Sequence, residues 1–158
     1  MCSYLTKTFF DRSYIYITEK EYFRIQNPVR TRSGEFLCFS AGQRKQWKHI
    51  RTISCSSDPS ERQQFRLDPK GRLRNRRFPN YCLAPVGDVV NVLTELQLRV
   101  CRKVKSSWIK KGDGSVTISG SNFGISVTQS TENSIPFLHD TRESKFQHIW
   151  NFKKVGYI

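Results

Sequence analysis

The side chains best equipped for chemistry in this chain are cations grouped around aromatic rings. Arg44, Lys45, Lys48, His49 and Arg51 surround Trp47. Arg66, Lys70, Arg72, Arg74, Arg76 and Arg77 crowd the stretch after Phe65. Arg99, Arg102, Lys103, Lys105, Lys110 and Lys111 flank Trp108. Guanidinium forks bind sulfate and phosphate in a bidentate manner. If residues 72 to 76 are extended, Arg72, Arg74 and Arg76 share one face at intervals of about 6.6 Å, a spacing suited to a row of anionic groups. The competing reading is a cationic surface scattered over all faces. Across the chain 27 Lys and Arg stand against 13 Asp and Glu, a net charge of +14. That balance predicts polyanionic partners: nucleic acid, sulfated glycan or acidic lipid.

Catalysis finds less support. There are three His (49, 139 and 148) and no G-x-S-x-G, H-E-x-x-H or glycine-rich phosphate loop. His139 and Asp140 are neighbours, so in a strand their side chains point to opposite faces. No C-x-x-C or H-x3-H spacing suggests a metal site. The expectation is a binding protein rather than an enzyme, with no cofactor.

These groups need a scaffold, and the patterning is β. Ile50 and Thr52 alternate with Arg51 and Ile53; Leu96, Leu98 and Val100 with Gln97 and Arg99; Val116 and Ile118 with Thr117. Turn clusters separate the runs, as at Asp68-Pro69-Lys70-Gly71, Lys111-Gly112-Asp113-Gly114 and Gly120-Ser121-Asn122. One helical window, residues 88 to 98, is weakened by its β-branched content. Apolar residues make up 37% of 158, enough for one packed domain, and no run approaches the length needed to span a bilayer as a helix.

The runs repeat. Phe65, Gly71 and Leu73 have the spacing of Trp108, Gly114 and Val116, and Trp150 lies 42 residues beyond Trp108. A looser copy starts at Phe23, with Gly34, Phe36 and Cys38. Units of about 40 residues that cannot bury their apolar faces alone must close together. The predicted fold is an all-β β-trefoil of three pseudo-symmetric four-stranded repeats, about 21–62, 63–105 and 106–152, in a single domain (21–158) after an N-terminal extension (1–20). Each of the first two repeats carries two cysteines in matching places: Cys38 with Cys55, and Cys82 with Cys101. The reading is two disulfides inside repeats, with four buried free thiols as the alternative.

Gln63-Gln64-Phe65, Asp68 to Leu73 and Tyr81-Cys82-Leu83 resemble the Q-x-W…G-x-I…C-L signature of ricin-type β-trefoil lectin domains. Gln147-His148-Ile149-Trp150 resembles that family's closing strand. The resemblance covers roughly residues 22 to 152. It implies bridges in the first two repeats only, and sugar sites built on an Asp two residues after the second-strand Cys. Here those positions are Ser40, Ala84 and Val127, so the carboxylate is missing from all three. Each lost charge-assisted hydrogen bond is worth about 1.5–3 kcal/mol, which argues against ordinary neutral-sugar binding there.

The implied function is a non-enzymatic, lectin-like module for acidic or sulfated glycans. Its candidate contacts are Ser40, Arg44, Lys45, Trp47, Lys48, Arg51, Arg72, Arg74, Arg76 and Arg77. Trp47 reads either as a stacking platform or as a loop anchor. The alternative is a protein-interaction or cell-targeting subunit, toxin-like, with decayed sugar sites and a second chain joined through Cys2. Nucleic acid is disfavoured, because no RNP-type aromatic motif occurs and paired cysteines point away from the nucleus. Bridges favour a secreted, extracellular protein, although residues 1–7 lack the long apolar core of a signal peptide. Titrating the unfolded, non-reduced chain should find one free thiol among five; finding five would remove the secreted reading.

Overall fold

The computed structural model describes residues 21–55 and 60–157. Cys2 and the rest of the N-terminal extension lie outside the described residues. The described chain is all-β, with helical turns limited to short 3-10 segments such as Arg44–Gln46 and Cys101–Lys103. Its strands are β1 (Glu21–Gln26), β2 (Leu37–Ala41), β3 (Ile50–Ser54), β4 (Phe65–Leu67), β5 (Leu73–Asn75) and β6 (Tyr81–Pro85). They continue with β7 (Leu96–Val100), β8 (Trp108–Lys110), β9 (Val116–Ile118), β10 (Phe123–Ser126), β11 (Phe137–Asp140) and β12 (Asn151–Tyr157).

The helical window at 88–98 does not form a helix. A 3-10 turn at Val86–Asp88 leads into a turn and then β7. Valines at 89, 90 and 92 lose rotamer freedom in a helix, and the alternation from Leu96 onward suits a strand paired with β6.

One sheet runs β3-β2-β1-β4-β5-β6-β7, with β12 also on β1; the other runs β11-β10-β9-β8. Hairpins β2–β3, β6–β7 and β10–β11 are antiparallel. Strand β12 pairs with β1 from Glu21↔Tyr157 to Gln26↔Asn151, so the last strand closes on the first.

Phe39, Phe65, Leu83, Ile125, Leu138 and Trp150 are among the fully buried side chains at the centre. Trp108 and Trp150 are held there in the same way. The Trp108 indole N–H donates to the Leu83 carbonyl at 2.8 Å, and that of Trp150 to the Ile125 carbonyl at 2.8 Å. Their backbone N–H groups donate to the carbonyls of Gly71 (2.7 Å) and Gly114 (2.9 Å). Both glycines adopt positive φ, +78° and +93°. A Cβ on Gly114 would meet Ile149 Cγ2 at 2.8 Å and one on Gly71 would meet Ser107 Cβ at 2.9 Å, so the turn needs glycine for both reasons. Phe65 has no indole N–H and instead lies opposite Phe23 in the β1–β4 pairing.

Disulfides join Cys38 to Cys55 and Cys82 to Cys101. Each ties a β2- or β6-strand residue to the end of the hairpin that follows. With separations of 17 and 19 residues, each contributes about 3 kcal/mol through the unfolded chain's lost freedom.

Replacing Trp150 by Phe leaves the Ile125 carbonyl buried without a donor. Unfolding in urea should show a loss of about 1–3 kcal/mol. Gly114→Ala should cost a comparable amount, through strain at positive φ.

Candidate functional site

The best-defined polar centre is built on Asp68, in the turn between β4 and β5. Its Oδ1 accepts backbone N–H groups from Lys70 and Arg72, both at 2.9 Å. Its Oδ2 accepts Nε–H from Arg72 at 2.8 Å and from Arg74 at 2.9 Å. Each guanidinium then reaches onward: Arg72 donates to the Cys101 carbonyl and Arg74 to the Pro79 carbonyl, both at 2.9 Å. One carboxylate thus ties the β4–β5 turn to the second disulfide and to the β5–β6 connection. Burial works against the charge on Asp68, but the N–H donors of Arg72 and Arg74 outweigh it and hold the carboxyl below its ordinary pKa.

An open groove of about 630 Å³ adjoins this clamp. Lys70, Arg72, Arg74, Asn80, Tyr81 and Arg102 line it. Tyr81 also borders a smaller groove of about 160 Å³, with Lys48, Gln97, Arg99 and Lys103. The two grooves therefore form one basic surface divided by a tyrosine. Behind Tyr81 stands Trp47, edge-on at 4.4 Å between ring centroids, and Phe78 tilts against Trp47 at 5.1 Å. Lys48 Nζ lies 5.4 Å from the Trp47 ring and the Arg77 guanidinium 5.7 Å from Phe78. Lys48, Lys70, Arg77, Arg102 and Lys103 are all exposed. Such an arrangement offers mobile cations and a flat aromatic edge to an anionic, partly apolar ligand.

The sequence-predicted contacts divide. Lys48, Arg72 and Arg74 gather around the tyrosine, joined by Trp47, which is half-buried and packs against the core, whereas Arg77 lies over Phe78. Trp47 is thus an anchor for its loop, with only part of the ring facing outward. Lys45 is exposed on the 3-10 turn before Trp47. Arg44 opens that turn, and its side chain lies outside the described part of the structure. Arg51 donates to its neighbour's carbonyl, Ile50 O, at 3.3 Å. Ser40 is buried and its hydroxyl donates to Ala41 O at 3.0 Å, turned back on its own strand.

The expected row of Arg72, Arg74 and Arg76 on one face does not form. Strand β5 spans only Leu73–Asn75, too short to keep a two-residue alternation through Arg76. Arg72 and Arg74 converge on Asp68, whereas Arg76 donates to Gln64 Oε1 at 2.7 Å and lies over the Tyr22 ring at 4.7 Å. Two of the three cations are thus spent largely inside the protein.

Two features escaped the sequence reading. Asp68 and Tyr81 read as parts of a turn and of the lectin-type signature, and neither was singled out as a site residue. A second groove, of about 700 Å³, lies between the Arg30–Glu35 turn and residues 129–132. The repeat spacing touches these segments only at Gly34, so no periodic signal marked the groove. The three positions where the lectin pattern expects Asp are all closed to solvent: Ser40 is 3% exposed, Ala84 and Val127 0%. Ala84 packs in a small apolar cluster with Cys82, Cys101 and Val104.

Comparison with solved structures matches this arrangement of strands. The agglutinin of Abrus precatorius superposes with a TM-score of 0.67 at 18% identity, over 87% of this chain and 48% of that one. The fold is a β-trefoil. The C-half of an earthworm R-type lectin, solved with GalNAc, gives 0.64 at 10% identity, covering 85% of this chain and 98% of that one. The β-trefoil lectin of Vibrio vulnificus hemolysin/cytolysin, solved with N-acetyl-D-lactosamine, gives 0.63 at 18%, over 86% and 96%. The trefoil thus spans about half the Abrus chain and nearly all of the other two. No family model and no curated protein matches the sequence. At these identities the likeness establishes the fold.

Because the folded pKa of Asp68 is lowered, its stabilisation is complete above the ordinary value of 3.8 and is lost as pH falls through the folded value. Asp68→Ala should cost about 3 kcal/mol at pH 7, since it leaves two part-buried guanidiniums unpaired. Melting curves between pH 7 and pH 3 should show the wild type losing more stability than the variant.

Proposed function

We propose that this trefoil is a secreted, non-enzymatic, lectin-like module that binds acidic or sulfated glycans. The observation that carries the reading is the substitution of one chemistry for another on a lectin scaffold. The three positions expected to grip neutral sugars hold Ser40, Ala84 and Val127, all buried. The open grooves beside Tyr81 instead present Lys48, Lys70, Arg102 and Lys103. Among the described residues, none of these four has a carboxylate within salt-bridge distance. The Asp68 clamp keeps Arg72 and Arg74 rigid in the groove wall, where their remaining N–H groups face an incoming sulfate or carboxylate. Trp47 supports Tyr81 from behind.

We read the domain as residues 21–158, built from three pseudo-symmetric units at about 21–62, 63–105 and 106–152. The matching indole and glycine hydrogen bonds of Trp108 and Trp150 support that reading. The two disulfides support an oxidising, extracellular setting. A second reading, a cell-targeting or protein-binding subunit joined to another chain through Cys2, draws support from the same buried positions. Loss of sugar-gripping acids is also what a surface released from sugar binding would show.

An array of sulfated and neutral glycans, probed with the intact protein, separates the two. Signal on sulfated glycans, lost in the Lys70→Ala, Arg102→Ala, Lys103→Ala triple variant, supports the first reading. No glycan signal supports a protein partner. On heparin, the wild type should elute above about 0.3 M salt, and the triple variant should move lower and show a shallower salt dependence.

A further inference from the structure

The connection between β6 and β7 carries an apolar surface that glycan binding does not use. Val86, Val89, Val90, Val92 and Leu93 are 41–59% exposed within eight residues. Single exposed aliphatics are ordinary, but five in one loop are not. The loop is also firmly built. Val86 N–H donates to Glu95 O at 2.9 Å, Leu93 N–H to Leu138 O at 2.7 Å and Leu138 N–H to Thr94 O at 2.8 Å. Gly87, Asp88 and Leu93 all adopt positive φ, +68°, +56° and +63°. A leucine takes that conformation only under constraint, and here the constraint turns its side chain to solvent, the most exposed of the five at 59%.

Charge decides what this surface meets. The acid within the apolar stretch, Asp88, is paired with Arg99 at 2.9 Å. Arg99 shares a groove along β7 with Lys48 and Lys103. Glu95, at the base of the loop, joins Phe137 in a backbone bridge while its side chain is exposed. A second copy would bring a charge of +14 against +14, which opposes self-association. A protein interface of ordinary size covers about 800 Å² per partner and is enriched in aromatic residues; this loop is small and wholly aliphatic. Shallow insertion of a few aliphatics beside basic residues is instead how proteins bind an anionic bilayer.

We propose that the 86–93 loop inserts its valines and Leu93 into the headgroup boundary of an anionic membrane, drawn there by the chain's net charge of +14. This contact uses none of the residues assigned to glycan binding. The test is sedimentation of the full chain with vesicles of phosphatidylcholine alone, or of phosphatidylcholine with about three parts in ten phosphatidylserine, at about 0.15 M salt. The wild type should bind the anionic vesicles at least about tenfold more tightly than the neutral ones. The V89S/V92S/L93N triple variant should lose about tenfold on the anionic vesicles. Asn is at ease at positive φ, so melting of this variant should match the wild type. In Val92→Trp, the new indole should be quenched by brominated lipid beyond the wild-type signal. Equal binding of wild type and triple variant would reduce the effect to charge adhesion and overturn the proposal. So would absence of vesicle binding, an unquenched Val92→Trp, or a loop-dependent dimer on gel filtration.

Discussion

A buried tryptophan that serves two neighbours at once holds this fold together. Trp108 and Trp150 each give an indole N–H to the carbonyl of a strand residue 25 positions back and a backbone N–H to the carbonyl of a turn glycine. The ring fills the core while its one polar atom is satisfied, so little is lost by burying it. The glycine must be glycine, because its positive φ and the nearby side chain leave no room for a Cβ. A short segment of chain is thereby fixed by residues far away in sequence.

The Asp68 clamp extends the same logic to the surface. A buried carboxylate is costly unless saturated with donors, and this one accepts four. The four donors come from residues within the same hairpin, but the guanidiniums continue to Cys101 and Pro79. The groove wall is thereby tied to the second disulfide and to the β5–β6 connection. Its outer cations, Lys70, Arg102 and Lys103, stay exposed on long, flexible side chains. The surface therefore combines a fixed aromatic and guanidinium floor with an adaptable cationic rim.

Much of this was legible in the residues. The alternation of apolar and polar side chains located most strands, since a half-buried strand leaves that trace. The paired cysteines stood out because they recur at one place in two repeats. What escaped notice depends on contacts rather than on pattern. Asp68 looked like any turn aspartate, because nothing in a linear reading shows that Arg72 in the turn and Arg74 on β5 will share its oxygen. The row of Arg72, Arg74 and Arg76 was predicted from an alternation that a three-residue strand does not sustain. The burial of Ser40, Ala84 and Val127 follows from how the hairpins pack, and small residues carry no sign of it.

The pairing of β12 with β1 places the first described strand beside the last. Glu21 and Tyr157 are register partners, so during synthesis β1 waits with an unsatisfied edge until β12 has left the ribosome. An open edge of this kind is a template for pairing with other chains. The Cys38–Cys55 and Cys82–Cys101 hairpins, by contrast, need only local partners and are able to form earlier.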